Sequence, residues 1–132
     1  MQEDGPPNPA PSAPAGETSQ AAPEPKKLKI ERFFELELRV ARIAEVERIP
    51  NADRLLKLQV DLGHERRQLV AGIAAVYEPK SLIGKQIIIV ANLKPARIRG
   101  VESQGMLLAA DVEGRPILAT FDEAVPPGTR VR

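Results

Sequence analysis

The sequence contains no cysteine and no tryptophan. Neither a disulfide framework nor a thiolate metal site can be built from it. Its one histidine, His64, cannot assemble a histidine-rich metal centre. Carboxylates alone can hold a hard cation, but no dense Asp/Asn/Gly loop supplies them, so no cofactor is expected. No apolar run approaches the roughly 20 residues that a membrane helix needs. The start, MQEDGPP, has neither a basic nor an apolar stretch and does not read as a secretory signal. A cytoplasmic protein without membrane attachment is the expectation.

Catalytic signatures are missing too. There is no Gly-x-x-x-x-Gly-Lys-Ser/Thr loop, no Gly-x-Ser-x-Gly elbow and no His-Glu-x-x-His. His64 stands beside Gly63, Glu65 and Arg66, the setting of an exposed turn rather than of a general base. Asp122-Glu123 lies in a Pro/Gly-rich C-terminal stretch, where solvated charge is expected. A non-catalytic binding module is the class left.

What is present is unevenly distributed. Residues 1–25 hold seven of the 13 prolines and four acids, with no Lys or Arg. Such a segment buries too little apolar surface to offset its ordering entropy, and a disordered, acidic Pro/Ala-rich tail is predicted over 1–25. Residues 26–132 then carry all 19 basic residues against 14 acids, a body of charge +5. A basic body points weakly to a polyanionic partner.

From Lys26 the texture changes. Ile30, Phe33 and Phe34 fall at helical spacing in KKLKIERFFEL, predicting a short helix whose apolar stripe docks on the body. Strands follow. Leu36, Leu38 and Val40 alternate, and Ile43 and Val46 continue after a phase change that reads as a bulge. After the turn PNAD, Leu56, Leu58, Val60 and Leu62 alternate with Lys57, Gln59 and Asp61. DLGHER is a hairpin turn into QLVA. Ile73, Val76 and Tyr77 have helical spacing, with Pro79 expected to end that element. QIIIVA reads as a strand covered on both faces, and GMLLAAD and RPILATF as strands joined by the turn VEGR. An all-β, five-stranded Greek-key OB barrel with a short helix after the third strand accommodates this order in one domain over 26–132.

Between two of those strands, the connection ANLKPARIRGVESQGM holds Lys94, Arg97 and Arg99 beside Asn92, Ser103 and Gln104. Guanidinium and ammonium groups suit phosphate oxygens, while Asn, Ser and Gln bond sugars or base edges. The same spacing also suits a solvated loop with turn glycines. A second basic set, Arg54, Lys57, Arg66 and Arg67, lies around the second hairpin and lines the same groove only if the two regions are adjacent. Phe33, Phe34, Tyr77 and Phe121 are the only aromatics, too few to stack an extended single strand. A folded RNA held by phosphate, sugar and shape fits better.

The blocks RVARIAEVERIPNADRLLKLQVDLG, RQLVAGIA and LIGKQIIIVANLKPARIRGVESQGMLLAA resemble the tRNA-binding OB-fold domain of methionyl-tRNA synthetases and of free structure-specific tRNA-binding proteins. The resemblance covers about residues 33–132. It implies binding of the outer, folded part of tRNA and a homodimer formed through elements flanking the barrel, here the helix near 30–36 and the segment after Phe121. It places Asn92, Lys94, Arg97, Arg99, Ser103 and Met106 on the binding connection; Gln104 stands where the family often has an acid. It further implies a free beta-subunit-like module that works beside a methionyl-tRNA synthetase catalytic subunit and lacks that enzyme's catalytic domain. The alternative it carries is a chaperone-like OB-fold dimer for unfolded or exported proteins.

Overall fold

One strand organises the molecule. In the computed structural model, which describes residues 25–132, β1 (Leu38–Ile49) runs for 12 residues and pairs with three other strands, two of them over long stretches. Its first half pairs antiparallel with β4 (Gln86–Val90), from Leu38↔Val90 to Arg42↔Gln86. Its second half pairs with β2 (Ala52–Asp61), from Arg42↔Asp61 to Ile49↔Ala52. The register shifts between Ile43 and Glu45, leaving Ala44 without an opposite residue. An extra residue there bends and twists the strand, which lets a single strand serve two halves of a closed sheet. This is the phase change predicted after Val40. The predicted tail, Pro25 apart, lies outside the described residues.

The sheet continues through β3 (Arg66–Ala71), which pairs with β2, and on the other side through β7 (Met106–Leu107), which pairs with β4. The order is β3-β2-β1-β4-β7. Two small hairpins stand off this path: β5 (Ala96–Ile98) with β6 (Val101–Ser103), and β8 (Ala109–Val112) with β9 (Arg115–Leu118). The architecture is all-β with few short helices, as an OB-like barrel requires.

Period-two alternation fills the interior. Leu56, Leu58, Val60 and Leu62 on β2 and its end are fully buried, together with Ile43, Leu69, Ile87 and Ile89. Ile88 between them is only partly buried, so β4 is covered on both faces along part of its length. Leu82 closes one end of the barrel from α2 (Pro79–Leu82). Here the sequence expectation is corrected. Residues 73–77 make a single turn, with the Val76 and Tyr77 N–H groups both donating to Ile73 O at 3.1 Å, and Pro79 opens the helix instead of ending one. Proline lacks an N–H, which costs nothing in the first turn of a helix, where that donor has no partner.

The barrel closes through one backbone bond and several side chains rather than through a regular ladder. The Gln104 N–H donates to Gln68 O (2.8 Å), and the Gln68 N–H donates to Gln104 Oε1 (3.0 Å). The Val70 N–H donates to Ser103 Oγ (3.1 Å), which in turn donates to Gly105 O (3.0 Å). Arg67 reaches across the same seam, donating to the carbonyls of Ala91 and Gln104.

The flanking segments behave differently from each other. After Phe121 the chain folds back on its own body: Val125 exchanges hydrogen bonds with the Gln86 side chain, and β10 (Arg130–Val131) pairs with Arg39 and Leu38. Gly128 is forced there. Its φ is +91°, and a Cβ would stand 2.2 Å from Leu62 O. The first helix, α1 (Ile30–Phe33), buries none of its residues, which corrects the expected docking of its stripe. Ile30 is 61% exposed and Phe34 50% exposed, with Leu28 and Leu36 also open. A helix of four residues is one turn long and lays no second row of side chains on the barrel.

Two substitutions probe this closure. Ser103→Ala orphans a buried Val70 N–H and should lower stability by about 1–3 kcal/mol in urea titrations; an unchanged midpoint removes Ser103 from the closure. Gly128→Ala should destabilise as well, and a wild-type melting temperature for that variant contradicts the close approach to Leu62.

Candidate nucleic-acid interface

The connection between β4 and β7 is a structured arm. Pro95 precedes β5, and the hairpin turns through Arg99-Gly100 with φ of +54° and +80°. Two central residues at positive φ make a tight turn whose twist matches the strands. Glycine takes that backbone freely; an arginine does so at a cost. Arg97 steadies the turn by donating from Nη1 to Gly100 O (2.7 Å). Val101 on the return strand packs against a small cluster of Ile49, Ala52, Leu55 and Val70. That packing seats the hairpin over the β1–β2 turn, where Asn51 also has a positive φ of 63°.

This seating makes the two basic regions partly adjacent. Arg54, Arg97 and Arg99 line one open cleft of about 660 Å³ with Asn51 and Asp53. Lys94 lines a neighbouring cleft of about 380 Å³, together with Met106, Leu93, Ile98 and Pro116. Ile98 belongs to both, so the hairpin is a ridge between a cationic cleft and an apolar one.

Electrostatics divides the predicted basic residues into two groups. Lys57 pairs with Glu47 opposite it on β1 (3.0 Å), and Arg66 approaches Glu45 (3.9 Å). Arg67 is held by Glu65 (3.0 Å) as well as by the seam carbonyls, and only 23% of its side chain is exposed. Among the described residues, Arg54, Lys94, Arg97 and Arg99 have no carboxylate within ion-pair distance. Unpaired guanidinium and ammonium groups at the mouths of adjoining clefts can take phosphate oxygens without first breaking a protein ion pair.

The polar members of the predicted set do internal work. Ser103 is buried and its hydroxyl is used in both directions. Gln104 spends its carbonyl oxygen on the Gln68 N–H. Asn92 accepts from the Glu37 N–H (2.8 Å) and donates to Glu35 O (2.7 Å), tying the root of the arm to the segment that follows α1. These three residues position the surface that the cations present. Met106 is open, 53% exposed, at the mouth of the apolar cleft.

Leu93 and Ile98 are absent from the sequence-based set, although both stand exposed beside the cations. For Ile98 the signal is the alternation Ala96-Arg97-Ile98-Arg99, which as a two-faced strand puts apolar residues on one side and a cation on the other; Leu93 lies outside it. His64 is exposed next to Glu65 in the β2–β3 turn, as expected of a turn residue.

A family model described as "Putative tRNA binding domain" matches residues 38–130. The methionine–tRNA ligase of Bacillus subtilis (strain 168) is 46% identical over 126 residues, which are 92% of this chain and 19% of the ligase. The methionine–tRNA ligase of Thermococcus kodakarensis is 51% identical over 112 residues, 83% of this chain and 15% of the ligase. The chain thus spans less than a fifth of the length of these curated relatives. Among solved structures, the MetRS related protein from Pyrococcus horikoshii superposes with a TM-score of 0.77 at 40% identity, covering 81% of this chain and 99% of that one. Chaperone CsaA from Bacillus anthracis str. Ames gives a TM-score of 0.74 at 29% identity, covering 81% and 100%. Because the family match runs from the first residue of β1 to the first residue of β10, and so through the whole barrel with its cationic hairpin, this chain belongs to the tRNA-binding domain family.

Proposed function

We propose that this domain grips the folded body of tRNA by its phosphates and assists aminoacylation as a methionyl-tRNA synthetase beta-subunit-like module, without chemistry of its own. The observation that carries the reading is the convergence of Arg54, Arg97 and Arg99 on one cleft, with Lys94 in the next and none of the four in an ion pair among the described residues, although Asp53 lines the same cleft. Contacts of this kind position an RNA and carry no base information. Tyr77 is committed to the barrel, its hydroxyl accepting from the Leu118 N–H, and the aromatic rings stand clear of both clefts. Recognition by shape and charge follows. The similarity to two methionine–tRNA ligases supports the link to aminoacylation.

A second reading has its own support. The CsaA neighbour is named a chaperone, and an apolar cleft suits an unfolded segment. The adjoining arginines favour RNA, because an apolar peptide gives three unpaired guanidinium groups nothing to bind. In either reading the domain works as a homodimer. The open stripe of Leu28, Ile30, Phe33, Phe34 and Leu36 is an apolar surface that a second copy would cover.

For the RNA site, Arg97→Ala combined with Arg99→Asn should weaken tRNA binding and lower the melting temperature only slightly, because the bond lost to Gly100 O is exposed. Asparagine keeps the left-handed turn that alanine would strain. The slope of log Kobs against log salt should fall by about 0.7–0.9 for each phosphate that the variant no longer neutralises. Wild-type affinity and slope in the folded double variant would exclude the hairpin as the site.

For the assembly, equilibrium sedimentation of the intact chain should give a dimer that Phe34→Glu dissociates. A wild-type chain that stays monomeric at micromolar concentration ends the dimer proposal.

A further inference from the structure

We propose that the apolar cleft beside the cationic hairpin receives the base of one unstacked nucleotide of the bound RNA, held between aliphatic side chains. The inference rests on the tRNA-binding reading and adds a second kind of interaction to it. The cleft, about 380 Å³, is of the size that holds one small ligand. Its floor is Val70, Ala71, Ile73 and Leu107. Its rim carries three large aliphatic side chains left open to solvent: Leu93 at 42%, Ile98 at 36% and Met106 at 53%. Exposed residues of this kind gathered round one concavity mark a binding surface.

Charge decides which occupant fits. Lys94 lies in the lining, and across the Ile98 ridge stand Arg54, Arg97 and Arg99. A ligand filling both clefts must therefore be apolar on one side and anionic a few ångströms away. A nucleotide has that form, with a base face beside a phosphate. β5 provides the matching division: Ala96 lines the apolar cleft, Arg97 lines the cationic one, and Ile98 is the ridge between them. Leu, Ile and Met are among the side chains that pack against partly unstacked bases.

The lining also sets what the cleft does not read. Its polar side chains are Lys94 and Ser103, and the Ser103 hydroxyl is already used within the barrel. With Lys94 the one polar side chain free to reach a base edge, the cleft should discriminate little between bases. It holds a single nucleotide, which suits the splayed corner of a folded RNA and not an extended strand.

The test is Ile98→Ala with Met106→Ala, both exposed enough that the barrel interior is untouched. The folded double variant should bind a tRNA transcript about tenfold more weakly, a reduction within the range of one stacked base. Its salt slope should stay at the wild-type value, because every phosphate-binding cation is kept. Chemical probing of the same transcript should show one unpaired nucleotide whose base is protected by the wild-type protein and open with the variant. Replacing that base by another should change affinity little, and removing it should reproduce the tenfold weakening. Unchanged affinity in the variant overturns the inference, as does weaker binding accompanied by a fall in salt slope. Weakened binding of an unfolded reduced protein with tRNA affinity intact also overturns it and makes the cleft a peptide site. Failure of the wild-type chain to bind tRNA at all removes the parent reading. Salt-dependent binding that ignores Ile98 and Met106 removes only this one.

Discussion

The seam between β3 and residues 103–105 is the constraint on which the rest of the structure depends. A regular ladder would bring two strands together by backbone alone. Here the Val70 and Gln68 N–H groups are satisfied by the side chains of Ser103 and Gln104. A buried amide left without a partner costs more than an ordinary hydrogen bond returns, so the chain at 103–104 has little freedom to move off β3. The hairpin immediately before it is thereby fixed against the β1–β2 turn, and its arginines are fixed with it. Closing the barrel and presenting the cations are one structural event.

The charge pattern follows from that geometry. On β1, β2 and β3 acids and bases face each other across the sheet surface, as Glu47 does with Lys57 and Asp61 with Arg42. Exposed pairs of this kind add little stability, but they cancel local field. The cations of the arm form no ion pair among the described residues, even though Glu102 stands opposite Arg97 in the hairpin. Four unpaired cations thus stand where the two clefts open. Arg99 in a left-handed turn fits the same pattern: a small local strain is tolerated at the position that projects a guanidinium outward.

At the root of the arm, Asn92 joins the segment after α1 to the end of β4, and Ala91 adds a backbone bond to Glu37 O (2.7 Å). The open apolar helix and the cationic hairpin therefore grow from neighbouring points of one frame.

Local pattern was enough for much of the fold. The strict alternation of Leu56, Leu58 and Val60 can bury only one face, so it specified β2 and that strand's share of the core. The slip in period after Val40 marked the bulge, and the cluster of Lys94, Arg97 and Arg99 marked the exposed arm, because cations in an apolar neighbourhood must reach water. Pattern misread Pro79, since a proline stops a helix or starts one depending on which flank is packed. It could not tell that Ser103, Gln104, Asn92 and Arg67 turn inward, because each bonds a partner at least 24 residues away, apart from the short bonds of Ser103 and Arg67. Nor could it tell that Arg54 joins Arg97 and Arg99 while Lys57 and Arg66 are taken by Glu47 and Glu45. The sequence by itself determined which residues are apolar, charged or turn-forming, and hence the strands. Only the tertiary structure decided which charges remain unpaired, because pairing depends on distances that exist only once the barrel has closed.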